Sequence, residues 1–161
     1  MASGHSLLAF TPQAVEHGTG ALDTTPYNHP VYDLALTEFA VVSDVLPRLY
    51  DGNGITVYLH YAMSSAVSND IKLEVAIERI GDQQQNIATG EGFAAAQNSG
   101  DITVPGTAGL VDIVAVTFTD GAQMDSLAAG EGFRLKITRS AVAGTDAAGD
   151  LELRFVELKE T

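Results

Sequence analysis

An all-β fold, an antiparallel two-sheet sandwich of jelly-roll type with an extended N-terminal arm, follows from three observations. Runs of β-branched and aromatic residues with a period of two recur from residue 32 to the C-terminus. Turn-rich linkers that hold most of the 16 glycines separate these runs. Helical periodicity is confined to about two turns, around Met124–Ala129 and around Gly92–Gln97. Seven or eight strands of this kind form two packed sheets. The long connections at 81–100 and 140–149, with no Cys–Trp–Cys core, favour a jelly roll over an immunoglobulin-like sandwich. At 161 residues the chain is long enough for one self-sufficient core.

The elements follow in order. Residues 1–31 are broken by Pro12, Pro26 and Pro30, yet they carry Leu7, Leu8, Phe10, Leu22 and Tyr27 with few charges. Apolar but aperiodic, this segment reads as an arm lying on a preformed surface, and residues 32–161 as the sandwich domain. "YDLALTEFAVV" (32–42) alternates weakly, and "GITVYLHYAM" (54–63) follows the turn "DGNG". In "DIKLEVAIERI" (70–80), Ile71, Leu73, Val75 and Ile77 face the core while Lys72, Glu74 and Glu78 face water. "DITVPG" (101–106) is a short strand stopped by Pro105. "LVDIVAVTFTD" (110–120) is nearly continuous β-branched and apolar sequence, the pattern of a central strand buried on both faces. "GFRLKITRS" (132–140) sets Phe133, Leu135 and Ile137 against Arg134 and Lys136. "GDLELRFVELK" (149–159) places Leu151, Leu153 and Phe155 inward, and the last two strands can pair as a hairpin.

The basic stripe Arg134, Lys136, Arg139 stands out in a chain of net charge −13. It reads as the wet side of a sheet, with an anion or partner patch as the alternative. Eight basic residues against 21 acidic ones argue against nucleic acid as a partner. No run of 18 apolar residues points to a membrane. The start "MASGHSLLAF" lacks the pattern of a signal peptide. With no cysteine, neither a disulfide framework nor a thiolate metal site can form.

No catalytic constellation is visible. His5, His17 and His29 are spaced by 12, which fits no metal motif, and His60 sits within a strand. There is no G-x-S-x-G elbow. Asp51-Gly-Asn53-Gly54 begins like a calcium loop but lacks its later carboxylates and reads as a turn. No catalytic, cofactor-binding or metal-ligating residue is expected, and no cofactor.

"LP-x-x-Y-x-x-x-x-I-T-V" (46–57) and "AAGEGFRLKITR" (128–139), within residues 38–159, give the chain a resemblance. It resembles small β-sandwich structural proteins of tailed bacteriophages, of the capsid decoration or cement type. The resemblance implies a non-enzymatic virion protein, assembled in the host cytoplasm onto a major capsid or other virion protein and trimeric with its own copies. Leu7, Leu8, Phe10, Leu22, Tyr27 and Tyr32 would then make the partner contacts. The second reading is a jelly-roll carbohydrate- or receptor-binding module, which exposed aromatics on a concave sheet would favour.

Overall fold

The computed structural model describes residues 4–161 and is an all-β sandwich of two antiparallel sheets. The strands are β1 (Ser6–Phe10), β2 (His17–Gly18), β3 (Ala21–Thr24), β4 (Pro30–Leu34), β5 (Phe39–Val45) and β6 (Ile55–Met63). They continue with β7 (Asp70–Ile80), β8 (Gln97–Asn98), β9 (Ile102–Thr103), β10 (Asp112–Phe118), β11 (Gly132–Ser140) and β12 (Leu151–Glu160). The first sheet runs β10-β6-β12-β4-β3, with β1 also paired to β12. The second runs β2-β5-β11-β7-β8, with β9 also on β7.

Period-two alternation sends one side of each long strand into the interface between the sheets. From the first sheet come Val57, Leu59, Tyr61, Val114, Val116, Phe118, Leu153, Val156 and Leu158. Leu73, Val75, Ile77, Phe133, Leu135 and Ile137 meet them from the second. Arg139 has the same parity as Ile137, so it lies inside rather than in the basic stripe. It is 2% exposed, and its guanidinium donates to the carbonyls of Leu34 (3.1 Å), Gly149 (2.6 Å) and Ala147 (2.6 Å). One buried cation thus ties the end of β4 to the crossover between β11 and β12.

Several expectations need correction. Residues 4–31 do not leave the domain as an arm. β1 pairs with β12, β2 with β5 and β3 with β4, so this segment adds strands to both sheets. Its aperiodicity comes from switching sheets every few residues. The run 32–42 is two strands, because a turn with Thr37 at φ 71° carries the chain from the first sheet to the second. β11 and β12 do not form a hairpin; they lie in opposite sheets. Around Met124 the helical signal yields only a 3₁₀ turn, Ala122–Met124, and residues 92–97 hold no helix. β10 is an edge strand, not a central one: Ile113, Ala115 and Thr117 are exposed, while Val114, Val116 and Phe118 are buried.

Phe155 is the most consequential correction. Leu151 to Leu153 pair with Met63 to Tyr61, but the next partner of His60 is Phe155. Arg154 is an extra residue, a β-bulge that shifts the strand's phase by one. Beyond it, Val156 and Leu158 point inward and Phe155 stands on the outer face, 39% exposed.

Candidate functional site

The bulge sets the floor of a groove of about 710 Å³ on the outer face of the first sheet. That volume falls in the range typical of small-ligand sites, about 300–1,000 Å³. β6 contributes His60 and Ala62, and β12 contributes Glu152, Arg154 and Phe155. One wall is the β3–β4 turn with Tyr27 and His29; the other is the stretch Ala108–Val111 leading into β10.

Each side chain is held by local chemistry. His60 meets Phe155 edge-on, ring centroids 5.9 Å apart at 90°. The Arg154 guanidinium sits 4.4 Å from the Phe155 ring centroid and donates to the Pro30 carbonyl at 2.8 Å. Phe155 is therefore held by two neighbours and, still 39% exposed, lines the groove. The opposite wall is a tight turn. The His29 carbonyl accepts from the Thr25 amide (2.9 Å), the Thr25 carbonyl from the Asn28 amide (2.9 Å), and Thr25 Oγ1 from the His29 amide (3.2 Å). Asn28 takes φ 62°, a conformation asparagine tolerates, and Pro26 stiffens the entry. At the tip Tyr27 is 86% exposed.

Beside the groove a set of carboxylates shares the same outer face. Asp33 and Glu152 are cross-strand partners, and Asp23 lies on β3 next to β4. Burial pushes the Asp33 carboxyl up to about 6, and Asp23, Glu152 and Asp150 add to the rise. Burial likewise raises Glu152, with help from Asp23 and Asp150. The Oδ1 atom of Asp33 is buried without a hydrogen-bond partner. Among the described residues no three His, Asp or Glu side chains converge as a metal-holding group.

A second groove, about 570 Å³, lies on the outer face of the other sheet between β2, β5 and the stretch 87–91. Its one ring is the His17 imidazole, already set against Phe39 at 5.6 Å, and its one cation is engaged: Arg134 donates to Glu78 at 2.8 Å and to Glu91 at 3.1 Å. Asp51–Gly54 is a turn closed by structural bonds. The Tyr50 hydroxyl accepts from the Gly54 amide (3.0 Å) and donates to Asp120 (2.9 Å), while buried Glu160 accepts from the Asp51 amide (2.8 Å).

The six residues expected to meet a partner are divided by the fold. Phe10 and Tyr32 are buried, and Leu7 and Leu8 pack against the core from β1. The Tyr32 hydroxyl donates to the Gly20 carbonyl (3.0 Å), so it serves the sheet. Leu22 is exposed at the β3 edge, away from the groove lining. Only Tyr27 belongs to the groove. Phe155, Arg154, His60 and Glu152 were missed. Their signal is a phase break in "LELRFVEL": the apolar residues Leu151 and Leu153 are odd-numbered, Val156 and Leu158 even-numbered.

No family model matches the chain, and no curated protein matches it. Solved structures do share its fold. The C-terminal family 6 carbohydrate-binding module of a marine laminarinase from Zobellia galactanivorans is similar at TM-score 0.53 and 9% identity, covering 95% of this chain and 98% of that one. A family 6 module from Cellvibrio mixtus lichenase 5A, in complex with cellotriose, gives 0.51 and 11%, covering 98% and 99%. A family 36 module in complex with calcium and xylotriose gives 0.50 and 14%, covering 95% and 100%. At such identities the likeness is one of fold, a small two-sheet sandwich.

Proposed function

We propose that the chain is a non-catalytic carbohydrate-binding module that holds an oligosaccharide in the groove on the outer face of its first sheet. The observation that carries this reading is the bulge at Arg154, which turns Phe155 out of the core to face an open groove with Tyr27 on the far wall. A sugar ring presents C–H groups on its faces and hydroxyls around its rim. Aromatic faces take the former, and His60, His29 and Glu152 offer donors and acceptors for the latter. The fold shared with carbohydrate-binding modules supports the same reading. The capsid-decoration reading rested on a free arm, and the described part of that segment is occupied within the sheets.

Affinity electrophoresis through gels containing β-glucan or xylan, followed by calorimetry with the retained polymer's oligosaccharides, tests the proposal. Retardation by at least one polymer is expected, lost in Phe155→Ala and in Tyr27→Ala with the melting temperature preserved. Migration indifferent to every polymer, or retardation that survives both substitutions, would overturn it.

A further inference from the structure

β10 does not match its own sequence. Its run of β-branched and apolar residues suits a strand covered on both sides, yet in the single chain it is an edge with one face bare. Ile113 is 54% exposed, Ala115 and Thr117 are exposed beside it, and Leu110 and Val111 are exposed just before it. Among the described residues its backbone bonds to no strand but β6; the Ile113 amide donates to its neighbour Asp112 (2.8 Å), and beyond that the opposite row of amides and carbonyls has no partner strand.

The other edges are blunted. β3 has four residues and carries Asp23, while β2, β8 and β9 have two each. β1 is bulged between Ser6 and Leu8 and is followed by Pro12. Short strands, bulges, prolines and edge charges are the usual means of keeping a sheet edge from pairing. β10 uses none of these between Ile113 and Phe118: its seven-residue register with β6 is unbroken, and its only charge is Asp112 at one end.

We propose that β10 is the interface between two copies of this chain, paired antiparallel about Ala115 so that the two first sheets become one. The strand's self-complementary register about Ala115 supports this occupant. Two molecules of net charge −13 repel, and contact is cheapest where charge is missing. Antiparallel pairing about Ala115 sets Val114 against Val116, Ile113 against Thr117 and Asp112 against Phe118. It also separates the two Asp112 carboxylates by six residue steps, about 20 Å, well beyond a physiological screening length of about 8 Å. Such an interface is two-fold and saturates itself, so the assembly closes at a dimer rather than the trimer the sequence resemblance implies. The two-fold axis is perpendicular to the sheet, so both outer faces look the same way. On the carbohydrate reading, that would let one polymer engage both grooves; the pairing itself does not depend on that reading.

Sedimentation equilibrium from micromolar to about millimolar protein tests the pairing. The mass should rise from 16.9 kDa toward twice that value. Ala115→Lys sets two like charges face to face and should remain monomeric throughout, with an unchanged circular dichroism spectrum. Thr24→Lys on the β3 edge should dimerise like the unaltered chain. Should Ala115→Lys misfold, hydrogen exchange of the unaltered chain gives the reading: protection of β10 amides should grow with concentration while that of β3 amides stays constant. A monomer at every concentration, dimerisation of folded Ala115→Lys, loss of dimer in Thr24→Lys, or concentration-independent β10 exchange would each overturn the proposal.

Discussion

The outer faces of the two sheets carry the same kinds of side chain and use them in opposite ways. On the second sheet Lys136 sits 4.4 Å from the Phe39 ring centroid and 5.7 Å from that of Phe93, and Arg134 lies 5.1 Å from Phe93. The connection between β7 and β8 closes over them. The Gly92 amide donates to Glu78 at 2.5 Å, the Ala94 amide to the Ile77 carbonyl at 2.9 Å, and Glu91 accepts from Arg134. On the first sheet Arg154 lies over Phe155 and His60 meets it at a right angle, yet no loop closes over the ring, which stays 39% exposed. A cation beside an aromatic ring is thus no marker of a site. What distinguishes the two faces is whether the chain itself supplies the cover. The basic stripe Arg134–Lys136 is structural because its partners are already in place.

The largest expected effect belongs to Arg139, which both sheets share. Arg139→Ala leaves three carbonyls without their donor and empties a buried volume. It should destabilise the fold by about 3 kcal/mol or more, measured by urea unfolding. If the cost is below about 1 kcal/mol, the buried cation does not join the sheets.

Paired substitutions separate the two faces. Phe155→Ala should abolish carbohydrate retention, a loss of tenfold or more, with little change in melting temperature. Phe93→Ala should lower stability by about 1 kcal/mol through its lost cation contacts and leave retention intact. Equal behaviour in both assays would mean that the two faces do not differ.

Acidity sharpens it further. The Asp33 carboxyl is raised in the folded state to about 6, above its ordinary 3.8, because burial and then Asp23, Glu152 and Asp150 disfavour its charge. The native state therefore binds this proton more tightly than the unfolded state does. This group's contribution is most favourable below pH 3.8 and falls as pH rises to about 6, where it levels off. Asp33→Asn mimics the protonated form. It should melt above the unaltered chain at neutral pH, and the gap should shrink as pH falls through that window; a constant gap would remove the linkage. The smallest effect belongs to the rim of the covered face. Glu91→Gln weakens an exposed ion pair and should change stability by less than about 0.5 kcal/mol by urea unfolding.

What the sequence revealed was the period of two. Residues 54–63, 70–80 and 132–140 were readable because each strand stays in one sheet and keeps one phase. Leu73, Ile77 and Leu135 fell into the core for that reason. What was hidden came from strands that change partners. Phe10, Leu8 and Tyr32 looked unpartnered because the surfaces that cover them are supplied by β12 and the core across sheet boundaries, which periodicity does not register. Tyr27 was expected to meet a partner from an arm; it stands exposed on a turn instead. The groove itself was invisible as long as "LELRFVEL" was read with one phase, since that reading buries its central aromatic.

The extra residue at Arg154 has a consequence for how such a chain can vary. It divides β12 into two segments whose inward positions, Leu151 and Leu153 before it and Val156 and Leu158 after it, are set independently. The pair Arg154–Phe155 between them contributes no fully buried side chain. Exchanging Phe155 therefore leaves the inward positions on either side unchanged. On the carbohydrate reading, the junction between the two phases sets what the groove accepts while the hydrophobic interior stays the same.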